Sequence, residues 1–235
     1  MLRDKGAFSL NVQEICPLGK GSLKRSFDLL KQKLTVEGLF NSERKRPLPQ
    51  YPQRVAVISS TKAAGYADFM KISGERWGGA KIVVANVNVQ GANAADHVVR
   101  AISYFNQMSE SPDVIVLIRG GGSAEDLASF NDEKLVRAVA SSRIPTMTGI
   151  GHEIDESLCD LAADVRAATP SNAAQLLFPD KREVVRYLHY RLIDAKDSIC
   201  RAIEEQSLNA TMLQKEALKQ WSSRVDVAVN ATLSQ

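Results

Sequence analysis

Apolar residues change their period three times along the chain. In Phe8-Ser-Leu-Asn-Val-Gln-Glu-Ile-Cys16 apolar and polar positions alternate, the period of a half-buried strand, and Pro17-Leu-Gly-Lys-Gly21 ends it. Leu23, Phe27, Leu30 and Leu34 then recur at spacings of 4, 3 and 4, which predicts a helix stopped at Gly38. Asn41 to Pro52 holds three prolines and the basic cluster Arg44-Lys45-Arg46, the composition of an extended linker. One strand and one helix do not bury each other, so the expectation is that the chain opens inside a domain whose other strands lie upstream.

From residue 53 to about 178, short apolar runs alternate with helical patterns. Val55–Ile58, Lys81–Ala85 with a continuation toward Val89, and Val114–Ile118 are short and β-branched enough for strands, and Ile144–Ile150 is a fourth candidate. Residues 64–77, 92–108 and 131–141 between them have helical periods. Repeated strand–helix units with continuously apolar strands predict an α/β fold, a mostly parallel sheet with helices on both faces. Ligands of such sheets bind beyond the carboxyl ends of the strands, which singles out Ser59-Ser60, Gln90-Gly91, Arg119-Gly-Gly-Gly-Ser123 and Gly149-Ile-Gly-His152. After Pro179 a single long helix is expected. Leu188, Leu192, Ala195, Ile199 and Ala202 follow a coiled-coil register that Gln206 and Asn209 interrupt, and the helical character persists to Gln235, so a coiled coil continuing beyond it is expected. The expected domains are thus 1–50, 51–180 and 181–235.

Composition narrows the class. At 44% hydrophobic and 24% charged the 235 residues suit a globular protein, and no run approaches the ~18 apolar residues of a membrane span. The N-terminus lacks the apolar core of a secretory signal, and Cys16, Cys159 and Cys200 fit neither a disulfide framework nor a zinc pattern, so a reducing cytoplasm is the expected location. The net charge of +3 divides unevenly. Residues 1–50 hold 10 Lys and Arg against 5 Asp and Glu, residues 51–180 hold 11 against 15, and residues 181–235 hold 9 against 7. An acidic middle does not hold a polyanion by bulk attraction. If the chain handles nucleic acid, the holding falls to something else, and the basic first segment, with Lys20, Lys24, Arg25 and Arg44-Lys45-Arg46, is where such salt-dependent affinity would lie.

The chemistry-bearing residues cluster in that middle. Three glycines after Arg119 allow close backbone approach to a ligand, with N–H groups and a planar guanidinium turned to an oxyanion; the same loop also serves as a tight turn with Arg119 in a surface ion pair. His152 ends a strand with Asp155 three residues on, an imidazole–carboxylate arrangement suited to proton transfer or metal binding, or else a satisfied polar residue beside a helix cap. Asp68 is either a buried functional carboxylate or a solvent-facing one. Thr169 before Pro170 has the grammar of a helix start. His97 and His189 are expected at the surface.

Taken together, Ile118-Arg-Gly-Gly-Gly-Ser-Ala-Glu-Asp-Leu-Ala-Ser-Phe-Asn-Asp132, Ile144-Pro145, Gly151-His-Glu-Ile-Asp155, Asp160, Ala163-Asp-Val-Arg166 and Thr169-Pro-Ser171 resemble the catalytic domain of the exodeoxyribonuclease VII large-subunit family. Cys16-Pro-Leu-Gly-Lys-Gly21, Leu30 to Phe40 and Lys45-Arg-Pro-Leu-Pro49 are similar to that family's passage from its N-terminal OB-fold. The resemblance implies an OB-fold remnant in residues 1–50, a C-terminal coiled coil that recruits small subunits, and degradation of single-stranded DNA from its ends into short oligonucleotides, away from membranes. It carries catalytic roles onto Asp68, Arg119, His152 and Asp155, and phosphate or substrate contacts onto Ser59, Ser60, Gly120, Gly121, Gly122, Ser123, Arg166 and Thr169. It leaves the metal open: family members act without added metal or depend on Mg2+, and Asp68 and Asp155 would be the ligands. The chain departs from the family pattern at Ser60-Thr-Lys-Ala-Ala-Gly65 and Ala67, at Ile154 and at Ala168. Two other readings fit the residues: a phosphate-ligand-binding module without turnover, and a scaffold domain.

Overall fold

The computed structural model describes residues 20–91, 93–119, 127–150 and 156–233. The expected strand at 8–16 lies outside them. The chain divides into two compact units, Met1–Pro179 and Asp180–Gln235.

The first unit is built on five strands, β1 (Arg54–Ser59), β2 (Lys81–Asn86), β3 (Val114–Ile118), β4 (Thr146–Gly149) and β5 (Val165–Arg166), all parallel in the order β2-β1-β3-β4-β5. Its helices are α1 (Lys20–Val36), α2 (Ala64–Arg76), α3 (Ala94–Gln107), α4 (Glu133–Ala140), α5 (Leu158–Ala162) and α6 (Pro170–Leu177). Alternate strand residues enter opposite cores. Ala56, Ile58, Ile115 and Leu117 pack with α3, α4, α5 and the α1 residues Phe27, Leu30 and Leu34, whereas Val55, Val57, Val116, Ile118 and Met147 pack with Phe69 of α2 and Ala173, Ala174 and Leu177 of α6. This two-sided burial is why β1 and β3 read as unbroken apolar runs. At the sheet edge β2 is only half-buried and stops at Asn86, while Val89 leaves the strand and enters the first core.

Helix ends follow local chemistry. Gly38, at φ 76°, closes α1 with paired bonds from its own N–H to Thr35 and from Leu39 N–H to Leu34, a Schellman end that an L side chain would strain. Asp132 caps α4 by accepting from Lys134 and Leu135 N–H. Thr169 caps α6 through Asn172 N–H at 3.0 Å, with Pro170 in the first turn, as expected. α5 and the two-residue β5 are new: Ser157 and Asp160 form a reciprocal capping box in a stretch with no helical period of its own.

Residues 41–52 are mostly extended, but they are no free linker. Arg46 donates from its backbone N–H and its guanidinium to Asp164, at 2.8–3.0 Å, and from the guanidinium to the carbonyls of Arg143 and Ile144. Asp164 also accepts from the Thr146 N–H at 2.7 Å. Burial pushes the Asp164 carboxyl up, but the bonds from Arg46 and Thr146 outweigh it and hold the group below its ordinary value. A surface network of Lys33, Glu133, Arg137 and Glu37 ties α1 to α4.

The second unit is one helix, α7 (Lys181–Leu233). Leu188, Leu192 and Ile199 of the expected register are all about 60–70% exposed, and beyond Gln206 the apolar seam resumes through Ala210, Leu213, Ala217 and Trp221. Among the described residues no helix is long and apolar enough to cross a membrane.

Candidate active site

The sheet order reverses between β1 and β3: the chain runs outward to β2 on one side and to β4 and β5 on the other. In doubly wound sheets this switch point opens the ligand crevice at the carboxyl ends. Ile58 is in register with Leu117, and Ile118 with Gly149, so Ser59 and Arg119 end the two strands that flank the switch point. Arg119 donates its backbone N–H to the Gly149 carbonyl at 3.3 Å, which places it at the head of β4 as well. Its side chain is 3% exposed. A buried guanidinium is costly unless anions or acceptors surround it, so Arg119 sits where an acceptor is required and not at the open surface.

Four buried polar atoms have no hydrogen-bond partner among the described residues: Ser59 Oγ, His97 Nδ1, Thr148 Oγ1 and Asp160 Oδ1. Ser59 ends β1, Thr148 is next to last in β4, and His97 and Asp160 lie in the first turns of α3 and α5. A helix that follows a parallel strand starts at the carboxyl edge, and Leu158 N–H is tied at 2.8 Å to Asn131, just before α4. All four therefore belong to one edge. Buried polar atoms of this kind are exceptions in a folded chain, and here they gather along the carboxyl edge of the sheet. His97 is thus half-buried and not the surface residue expected, because its helix turns this position toward the core; His189 is exposed. Thr148 was hidden inside an apolar run, where a single hydroxyl leaves no periodic signal.

Of the other expected residues, Ser60 lines a groove of about 440 Å³ with Lys62, Ala63, Ala64, Asn88, Val89 and Gln90, between the ends of β1 and β2. Arg166 lies in β5 in register with Thr148 and within 3.5 Å of Glu156. The oxygen of Thr169 is engaged in its cap. Asp68 is exposed on α2, off the face that buries Gly65, Phe69 and Ser73, so its carboxylate is solvent-facing and not buried. Gly120, Gly121, Gly122, Ser123, His152 and Asp155 lie outside the described residues. Among the described residues no three His, Cys, Asp or Glu side chains gather as metal ligands. Burial pushes the Cys159 thiol well up, which keeps it protonated and inert.

Strand order and edge chemistry define a doubly wound α/β protein with buried Ser59 and Arg119 at the carboxyl ends of the two strands that flank its switch point. The sequence profile of the family "Exonuclease VII, large subunit" matches residues 39–234, and the chain belongs to that family. It is 40% identical over 220 residues to a protein of Rhodopirellula baltica named exodeoxyribonuclease 7 large subunit, a match covering 94% of this chain and 48% of that one. Proteins of the same name from Geobacter metallireducens (43% over 192 residues; 80% and 42% covered) and Leptospira interrogans (40% over 229; 94% and 54%) are similar to it as well. The chain thus spans about half the length of these relatives.

Proposed function

We propose that this chain carries the phosphodiester-cleaving domain of an exodeoxyribonuclease VII large subunit, acting on single-stranded DNA from its ends. Family membership supports the reaction class. The observation that supports the site is the buried Arg119 at the carboxyl end of β3, beside Ser59 at the switch point.

In this reading Arg119 and the amides of Gly120 to Gly122 hold the scissile phosphate and stabilise the charge that develops on its oxygens. Water attacks phosphorus, and the bond to the leaving sugar oxygen breaks. His152 takes the proton from water or returns one to the leaving oxygen. Asp155 and Asp68 orient the imidazole or hold a divalent ion, which when bound would activate the water. Ser59, Ser60, Ser123, Arg166 and Thr169 line the path of the strand. α7 presents its apolar seam to the small subunit, and the protein works in the cytoplasm.

The test is digestion of end-labelled single-stranded DNA by the whole large subunit with its small subunit, with and without chelator. His152→Ala is expected to slow cleavage about 10²- to 10⁴-fold with binding nearly unchanged. Arg119→Lys is expected to be severe too, since a point charge does not replace a bidentate fork. Full activity in both variants would leave the phosphate-binding module or the scaffold as the better reading.

A further inference from the structure

The acidic middle of the chain leaves open what grips a polyanionic substrate, and α7 carries a feature that the apolar seam does not use. At 3.6 residues per turn, Arg182, Arg186, His189, Tyr190, Ile193 and Lys196 fall on one strip, roughly 120° around the helix from the seam of Val185, Leu188, Leu192, Ala195 and Ile199. All six are exposed, Tyr190 at 61%. Among the described residues the side chains of Arg182, Arg186, His189 and Tyr190 make no ion pair or hydrogen bond; Arg182 donates only its backbone N–H, to Asp180. Glu183 borders the strip without pairing with Arg186, and Asp197 closes its far end. Residues 181–201 hold six Lys and Arg against three Asp and Glu. The outward face of a coiled coil needs only polar and charged side chains for solubility. A large exposed aromatic ring one turn beyond Arg186, off the seam and bordered on its far side by Asp194, has instead the composition of a surface that binds single strands, where cations neutralise phosphates and a ring stacks on a base of any identity.

We infer that the first turns of α7 bind single-stranded DNA along this strip, Arg182 and Arg186 on phosphates and Tyr190 against a base, leaving the seam free for a helical partner. This rests on single-stranded DNA being the substrate. The experiment is fluorescence anisotropy of a labelled, nuclease-resistant phosphorothioate oligothymidine against the whole large subunit with its small subunit, over a series of salt concentrations. Arg182→Gln and Arg186→Gln are each expected to flatten the slope of log K against log[salt] by about 0.7. Arg191→Gln removes the same charge from another face of the same helix and is expected to leave the slope as it was. Tyr190→Ala is expected to weaken binding about 5- to 100-fold and Tyr190→Phe to restore it. Unchanged slopes in the first two variants, an equal change in Arg191→Gln, or a Phe variant as weak as the Ala variant would overturn the strip while the catalytic reading stands. Failure of the unsubstituted protein to bind the oligonucleotide would overturn both.

Discussion

Gly149 shows how one residue can hold two meanings. In the sequence it belongs to Gly149-Ile-Gly-His152, a loop that invites backbone approach to a ligand. In the fold it is the last residue of β4, and a Cβ there would lie 3.2 Å from the Thr169 carbonyl oxygen and 3.3 Å from both Ala173 Cβ and Ile118 Cγ2. Its missing side chain lets the start of α6 sit directly on the sheet. Gly149→Ala should therefore push α6 outward and cost about 1–3 kcal/mol, the usual penalty of overpacking. Chemical denaturation would show this as a lowered midpoint at unchanged slope, and an unshifted midpoint would mean that α6 gives way freely. Arg119 was legible from its place after an apolar strand, but its burial was not, because burial depends on what the neighbouring strand ends bring to it.

At the scale of elements, the contact between residues 41–52 and the start of β5 is the most consequential. Arg46 belongs to a basic cluster that reads from the sequence as a grip for phosphate, yet its guanidinium, itself about a third exposed, is engaged by Asp164, whose side chain is 6% exposed. Arg46→Ala should cost stability between the ~1 kcal/mol of an exposed pair and the ~3 kcal/mol where losses of buried pairs begin. Lys45, exposed and unengaged by any described ion pair, is the residue of this cluster whose substitution should act on DNA affinity first. The lowered Asp164 value also fixes a pH signature. The carboxylate binds protons less readily folded than unfolded, so its contribution is complete above the ordinary aspartate value near ~3.9 and is lost as pH falls through the lower folded value. Thermal melts should accordingly show a smaller acid-induced drop for Asp164→Asn than for the unsubstituted chain; equal drops would assign the acid sensitivity elsewhere.

For the whole molecule, charge distribution decides what the pieces do. Residues 51–180 carry a net charge of −4 and hold the crevice, while the positive charge lies in residues 1–50 and 181–235. Because the chain spans about half the length of its relatives, the 235 residues alone are expected to digest single-stranded DNA far more slowly than a whole large subunit with its small subunit, and, with their grip in those basic ends, to lose affinity steeply with salt. Rapid processive digestion by this chain alone, or binding indifferent to salt, would contradict that division of labour.

Periodicity along the chain was enough for the parallel α/β class, for strands β1 and β3 and for α2 to within a residue or so, because two-sided burial and one-sided helix packing both write themselves into local hydrophobic spacing. The cap at Thr169 was legible for a similar reason: it depends on immediate neighbours. Strand order was not, since nothing local says that β3 lies beside β1 and places Ser59 and Arg119 at the switch point. Neither was β5, two residues long and held by its partner strand, nor α5, whose signal is a single cap. The same holds for the buried polar atoms of Ser59, His97, Thr148 and Asp160, and for the commitment of Arg46 to Asp164 across 118 residues. Burial and partnership are sums over residues distant in sequence, and only the folded chain brings those residues together.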